Sequence, residues 1–80
     1  MTIKDIQEKV NTFLIDELEI DESKIQGDAR LKDDLGIDSL EVVDVVVFVD
    51  QAFGFKMKPE DFKTIKTYDD FCNFIVERLG

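Results

Sequence analysis

Between Asp38 and Gly54 the chain carries Val42, Val43, Val45, Val46, Val47 and Val49, and whether this valine-dense stretch forms a strand or a helix decides the fold class. β-Branched side chains are stiff at χ1 and favour strands. The spacing argues the other way: a buried strand would be shorter and alternate at two, whereas Glu41 and Asp44 recur at three. On a helical wheel Val42, Val45, Val46, Val49 and Phe53 share one face, and Glu41, Asp44, Phe48 and Gln51 the other. Both ends are punctuated as helix ends, with Asp38 as N-cap, Glu41 at N3 and Gly54 where a C-terminal glycine belongs. The segment from Asp38 to Phe53 is therefore predicted to be helical. Valines in place of alanines cost such a helix on the order of 2–4 kcal/mol in total, so tertiary packing must hold it.

The flanking segments follow the same helical period. Thr2 with Asp5 three residues later reads as a cap ahead of Ile3, Ile6, Val10, Phe13, Leu14 and Leu18, which predicts a first helix from about residue 3 to about residue 18. Residues 19 to 36 have no sustained period and contain Gly27 and Gly36. They read as a long loop pinned to the core by Ile20, Ile25, Leu31, Leu35 and Ile37. Pro59 followed by Glu60, Asp61 and Phe62 suggests a single short helical turn. Thr67 with Asp70 repeats the cap signal, and Tyr68, Phe71, Cys72, Ile75 and Leu79 extend a last helix from about 68 to 79. The expected fold is all-α, an antiparallel bundle of three main helices plus one short helix, in a single domain spanning 1–80.

Eighty residues allow one modest core and leave little room for a substrate pocket with its own catalytic machinery. The chain contains no histidine and one cysteine, Cys72, which removes the commonest general base and metal ligand and any internal disulfide. Cys72 lies on an apolar stripe and reads as a small core residue rather than a nucleophile. A net charge of −9 repels nucleic acid and anionic membrane surfaces and makes basic protein surfaces the natural partners. It also predicts marginal stability that rises with salt or divalent cations. No apolar run is long enough to cross a bilayer, and the stretch Met1-Thr2-Ile3-Lys4-Asp5 lacks the features of a secretory signal, so a cytoplasmic monomer is expected.

The residue singled out for chemistry is Ser39. It follows the N-cap, so its hydroxyl is expected to point outward beside several acids with no base near in sequence. A lone serine in that place is ordinarily a helix-start residue. The string around it says more: Asp33-Asp34-Leu35-Gly36-Ile37-Asp38-Ser39-Leu40-Glu41 resembles the attachment motif of the acyl carrier proteins. In that family an Asp-Ser-Leu triplet, here Asp38, Ser39 and Leu40, follows a Leu-Gly pair and presents the serine to a phosphopantetheinyl transferase. Asp44, Asp50 and Phe53 fall where the family carries acidic, acidic and aromatic residues, Ala29 and Leu31 fit its loop, and Thr64-Ile65-Lys66-Thr67 resembles the lead into its last helix.

The resemblance implies a carrier acted on by other enzymes, not an enzyme. Ser39 would receive the 4′-phosphopantetheine of coenzyme A as a phosphodiester, and the thiol at the end of that arm would hold acyl groups as thioesters during fatty acid or polyketide-type biosynthesis. The implied partners are the transferase and acyl-processing enzymes such as ketosynthases, acyltransferases and reductases, docking by basic patches on the second helix. Glu41, Asp44 and Asp50 carry that role over, with Val47 and Phe48 adding apolar contact. An acidic run is also the ordinary make-up of a solvated face, but acids around an attachment site do not help a reacting phosphate and are better explained by recruitment. Phe48 and Phe74, off their helices' apolar stripes, are either partly covered or partner-facing. The inner valines pack the core and, in the family, also line a cavity for the acyl chain.

Two departures bear on pathway. Lys56, Lys58, Lys63 and Lys66 outnumber Glu60 and Asp61 in a region usually acidic in the fatty-acid type, and Phe48 and Val47 replace a smaller residue and a methionine or leucine. A specialised carrier fits these differences. The initial methionine and the lack of flanking domains favour a free-standing carrier. An aminoacyl or peptidyl carrier shares the fold but often has Gly-Gly or Gly-His before the serine, where this chain has Ile37-Asp38. Neither Asp21 to Lys32 nor Asp28 to Ser39 meets the calcium-loop pattern of acids at alternate positions, glycine sixth and glutamate twelfth. An unmodified acidic interaction module is the remaining alternative.

Overall fold

The structure, a computed structural model, describes residues 2–79. Met1, which opens the N-terminal stretch read above, and Gly80, which closes the assigned domain, lie outside the described residues. Three helices form the bundle: α1 over Ile3–Asp16, α2 over Ser39–Phe53 and α3 over Tyr68–Leu79. Two 3₁₀ turns, Glu22–Lys24 and Pro59–Lys63, punctuate the connections, and the described residues contain no strand.

The caps explain where each helix starts. On α1 the Thr2 hydroxyl accepts from the Asp5 N–H at 3.2 Å and the Asp5 carboxylate accepts from the Thr2 N–H at 3.2 Å, the reciprocal pair expected from the sequence. Thr67 and Asp70 make the same exchange at the start of α3, each bond at 3.2 Å. On α2 the Asp38 carboxylate alone does the capping, accepting from the N–H groups of Leu40 at 3.0 Å and Glu41 at 3.1 Å. Gly54 ends α2 at φ 78°, a left-handed conformation that a side chain would strain, while its N–H donates to the Asp50 carbonyl. α1 stops at Asp16, short of residue 18, because Glu19 turns left-handed at φ 55° and the Ile20 N–H folds back onto the Leu14 carbonyl.

One stripe from each helix meets at the centre. Ile6, Val10 and Leu14 from α1, Val45, Val49 and Phe53 from α2, and Tyr68, Phe71, Cys72 and Ile75 from α3 are buried there. Val42 and Val46 are half-buried at the flank of the α2 stripe. Ile3 and Leu79, placed on apolar stripes by periodicity, are exposed instead, because each lies at a helix end beyond the reach of the neighbouring helices. The Tyr68 hydroxyl donates to the Asn11 side-chain carbonyl, tying α3 to α1. Burial pushes the Cys72 thiol up to about 11 and raises the Tyr68 phenol as well, so both are neutral core groups at neutral pH.

The long first loop is a structural layer in its own right. Ile20, Ala29, Leu31, Leu35 and Ile37 are buried in the common core, and Ile25 packs against it half-buried. Burying a loop requires partners for its backbone. The entry to α3 supplies them: the Leu31 N–H donates to the Lys66 carbonyl, the Tyr68 N–H to the Ala29 carbonyl and the Asp69 N–H to the Gly27 carbonyl, at 2.9 to 3.0 Å. Arg30 and Thr67 form an antiparallel bridge at the middle of this seam.

Candidate functional site

Ser39 is the first residue of α2 and is exposed. A serine at a helix start commonly spends its hydroxyl on the free N–H groups of the first turn. Here Asp38 has taken that work, and the Ser39 hydroxyl makes no hydrogen bond among the described residues. The approach is set by the loop: the Ile37 N–H bonds back to the Leu31 carbonyl at 2.8 Å, and Ile37 itself is buried. Ile37 thus anchors the chain two residues before the serine, and Gly36, at φ 71°, makes the turn that brings it in.

The five acids near Ser39 divide into two kinds. Asp34 accepts from the Arg30 N–H at 2.8 Å, Asp33 pairs with the Arg30 guanidinium at 3.7 Å, and Asp38 caps α2. Those three serve the local fold. Glu41 and Asp44 have no side-chain partner among the described residues, and neither does the exposed Asp50 further along the helix. Sequence alone marks Asp38 as a cap but does not separate Asp33 and Asp34 from Glu41 and Asp44, because that distinction lies in which carboxylates meet Arg30 after folding.

The outward face of α2 is apolar as well as acidic. Leu40 is 79% exposed, Val43 55% and Val47 50%. At about 100° per residue the three fall on one strip, with Asp44 along one edge and Asp50 along the other. Val43 was not singled out from the sequence, although its i, i+3, i+7 relation to Leu40 and Val47 is a readable signal. Phe48 lies to the side of this strip. It is half-buried and stacks on Phe13 of α1 at 4.2 Å between ring centroids, with Phe53 edge-on at 5.8 Å. Of the two roles left open for it, partial cover is what the fold provides. Its remaining exposure opens on a groove that it shares with Phe13, Glu17, Leu18, Asp44, Val47 and Gln51. Phe74 is likewise half-covered, under the Arg78 guanidinium at 4.8 Å.

On the other side of Ser39 a cleft of about 610 Å³ separates the start of α2 from the Pro59–Lys63 turn. Its apolar lining comes from Leu31, Ile37, Val42, Pro59, Phe62 and Ile65, and its charged lining from Arg30, Lys32, Asp33, Asp38, Lys63 and Lys66. An unengaged, exposed serine hydroxyl opening on a part-apolar cleft leaves room for a covalently attached, extended group.

Comparison with known proteins agrees. Residues 8–75 match the family described as the phosphopantetheine attachment site. The acyl carrier protein of Thermotoga maritima is 38% identical over 77 residues, covering 96% of this chain and 95% of that protein. That of Petrotoga mobilis is 37% identical over 80 residues, covering 100% of this chain and 94% of that protein. That of Solidesulfovibrio magneticus is 32% identical over 75 residues, covering 94% and 96%. The prosthetic group of this family is a covalently attached 4′-phosphopantetheine, and the serine, its cap and the adjoining cleft are consistent with such a group. The chain belongs to the phosphopantetheine-attachment family, among the acyl carrier proteins.

Proposed function

We propose that Ser39 is the residue that carries the 4′-phosphopantetheine and that this chain, itself without catalytic activity, shuttles acyl thioesters among separate enzymes of fatty acid or polyketide-type synthesis. The observation that carries the reading is the division of labour at the start of α2, where Asp38 caps the helix and leaves the exposed Ser39 hydroxyl unengaged. The attached group supplies a thiol on a long arm, which holds an acyl group as a reactive thioester. The protein's own residues do the positioning. Asp38 fixes the first turn, Leu31 and Ile37 hold the loop that leads into it, and Leu40, beside the serine, offers an exposed apolar contact to an incoming enzyme. The base and metal needed to activate the hydroxyl come from the phosphopantetheinyl transferase, which fits the lack of histidine in the chain.

The docking face assigned to partner enzymes is the outward side of α2, with Glu41, Asp44 and Asp50 meeting basic patches and Leu40, Val43 and Val47 supplying the apolar centre. Exposed acids steer encounter, and a small apolar strip between them gives the contact something to bury. Phe48 contributes at the edge, from the side that Phe13 leaves open. Ketosynthases, acyltransferases and reductases are the expected classes of partner, and the setting is the cytoplasm, with the carrier working as a monomer in one domain over residues 1–80. No helix among the described residues is long and apolar enough to cross a membrane.

The decisive experiment is intact mass spectrometry of the wild-type protein and Ser39→Ala after incubation with coenzyme A, magnesium and a broad-specificity phosphopantetheinyl transferase. Gain of one phosphopantetheine by the wild type alone supports the reading. If folded, unmodified wild type gains nothing while a control carrier is loaded, Ser39 is not the attachment residue and an unmodified acidic interaction module takes its place.

A further inference from the structure

A second groove, separate from the cleft beside Ser39, runs between α1 and the latter half of α2 and has a volume of about 710 Å³. Its floor is aromatic: Phe13 and Phe48 stack there, each half-buried, with Ala52 beside them. Its rim is acidic. Asp5, Glu8, Asp16 and Glu17 recur along one side of α1 at helical spacing, against Lys9 as the one cation of the lining. Asp5 is spent on the α1 cap, whereas the exposed Glu8, Asp16 and Glu17 have no side-chain hydrogen bond or ion pair among the described residues. Asp16 and Glu17 also sit against the field of their own helix. They stand at the C-terminal end of α1, where the backbone carbonyls already concentrate negative charge, and its last turn holds no basic residue. That position favours cations, so the two carboxylates work against the fold and are relieved only by positive charge from outside it.

An aromatic floor inside an unneutralised acidic rim is complementary to an apolar side chain flanked by lysines or arginines. Glu8 to Glu17 spans about 14 Å of α1, between two and three turns of a helix laid alongside it. We propose that this groove docks a cationic amphipathic helix of a partner protein, which seats an apolar residue on the Phe13 and Phe48 rings and sets its basic residues against Glu8, Asp16 and Glu17. The net charge of −9 disfavours a second copy of this chain or an anionic membrane as the occupant. A smaller groove that shares Phe13, Glu17 and Phe48 continues to Asp44 and Val47, so the seat adjoins the edge of the outward strip of α2. Phe48 lies about 13 Å along the α2 axis from Ser39, and a helix held here leaves the serine open. The groove thus serves a binder that does not act on Ser39.

The test uses unloaded ¹⁵N-labelled protein titrated with a peptide of leucine and lysine, 18 residues long and arranged as an amphipathic helix, and with a peptide of the same composition reordered to abolish its apolar face. The expected result is saturable shifting of the Glu8, Phe13, Phe48 and Ala52 amides, at an affinity at least fivefold above that of the reordered peptide. Glu8→Gln/Asp16→Gln/Glu17→Gln should weaken binding at least fivefold. Asp28→Asn/Glu41→Gln/Glu77→Gln removes as much charge from outside the groove and should weaken it less than twofold. Shifts confined to the outward strip of α2, equal losses in the two triple variants, or equal affinity for both peptides overturns the inference. Concentration-dependent shifts of the groove amides in the free protein also overturn it and assign the groove to a second copy. Ser39→Ala should bind the peptide as the wild type does, so this inference and the attachment reading fail independently.

Discussion

Val45 and Val49 of α2 are 2% and 0% exposed, whereas Val43 and Val47 on the same helix are 55% and 50% exposed. All four carry the same conformational cost in a helix relative to alanine. On the inner face the cost is offset by burial against α1 and α3. On the outer face, where about half of each side chain stays exposed, burial offsets much less of it. That exposed apolar strip is the feature on which the proposed docking face rests. The same division runs through the acids: Asp34 and Asp38 satisfy backbone N–H groups, while Glu41 and Asp44 have no side-chain hydrogen bond or ion pair among the described residues. Two residue types thus mark one boundary between groups that build the fold and groups that the fold does not engage.

The contrast is broken most directly on the inner face. Val49→Ala removes two buried carbons and leaves a small cavity, so urea denaturation should register a loss of about 2 kcal/mol. A loss as small as that of an exposed valine would mean that the inner face is not packed as described. Alkaline pH challenges the same buried side. Cys72 and Tyr68 are held neutral in the fold, so at high pH the folded state retains protons that the unfolded chain gives up. Stability is full below the ordinary thiol range and declines as pH rises toward 11. The urea midpoint should therefore drop between pH 8 and pH 10, and by less in Cys72→Ala; an equal drop in that variant would assign the alkaline sensitivity elsewhere.

The outer face answers in a different readout. Asp44→Lys should leave stability within about 0.5 kcal/mol, as exposed substitutions do. Glu41→Lys, at a half-buried position in the first turn of α2, should cost no more than about 1 kcal/mol. Either should nonetheless slow loading or acyl transfer several-fold at limiting carrier concentration. Unchanged rates would return both acids to the solvated surface. The smallest effect has the opposite sign from Val49→Ala. Val43→Ala or Val47→Ala should raise stability by a few tenths of a kcal/mol through helix propensity alone, while weakening transfer by partners. A stability loss at either position would place that side chain inside the fold.

The elements of this protein are legible where local chemistry decides them. Thr2 with Asp5, Asp38, Gly54 and Thr67 with Asp70 announce helix ends through hydrogen bonds that span only a few residues, and the bonds are present. The strand preference of the valines gave way to pattern and burial because tertiary packing outweighs a cost of a few tenths of a kcal/mol per residue. Two features could not be read that way. The stacking of Phe48 on Phe13 joins residues on different helices, so a wheel drawn on α2 alone leaves Phe48 unassigned. The basic wall of the cleft is scattered over two segments: the lysine excess between α2 and α3 is visible in sequence, but its meeting with Arg30 and Lys32 requires the fold.

The seam between residues 27–31 and 66–69 has a consequence for how motion is shared. Because the chain on either side of α2 is fastened to itself there, α2 and the Pro59–Lys63 turn sit inside a closed span, like a drawer in a frame formed by α1, the seam and α3. Ser39, the outward strip and the cleft all belong to the span or its hinge. Opening of the span is expected to leave the hydrogen bonds of the frame in place. In hydrogen exchange that arrangement reads as two tiers: amides of the seam and of the α1–α3 pair persist longest, and those at the start of α2 open first.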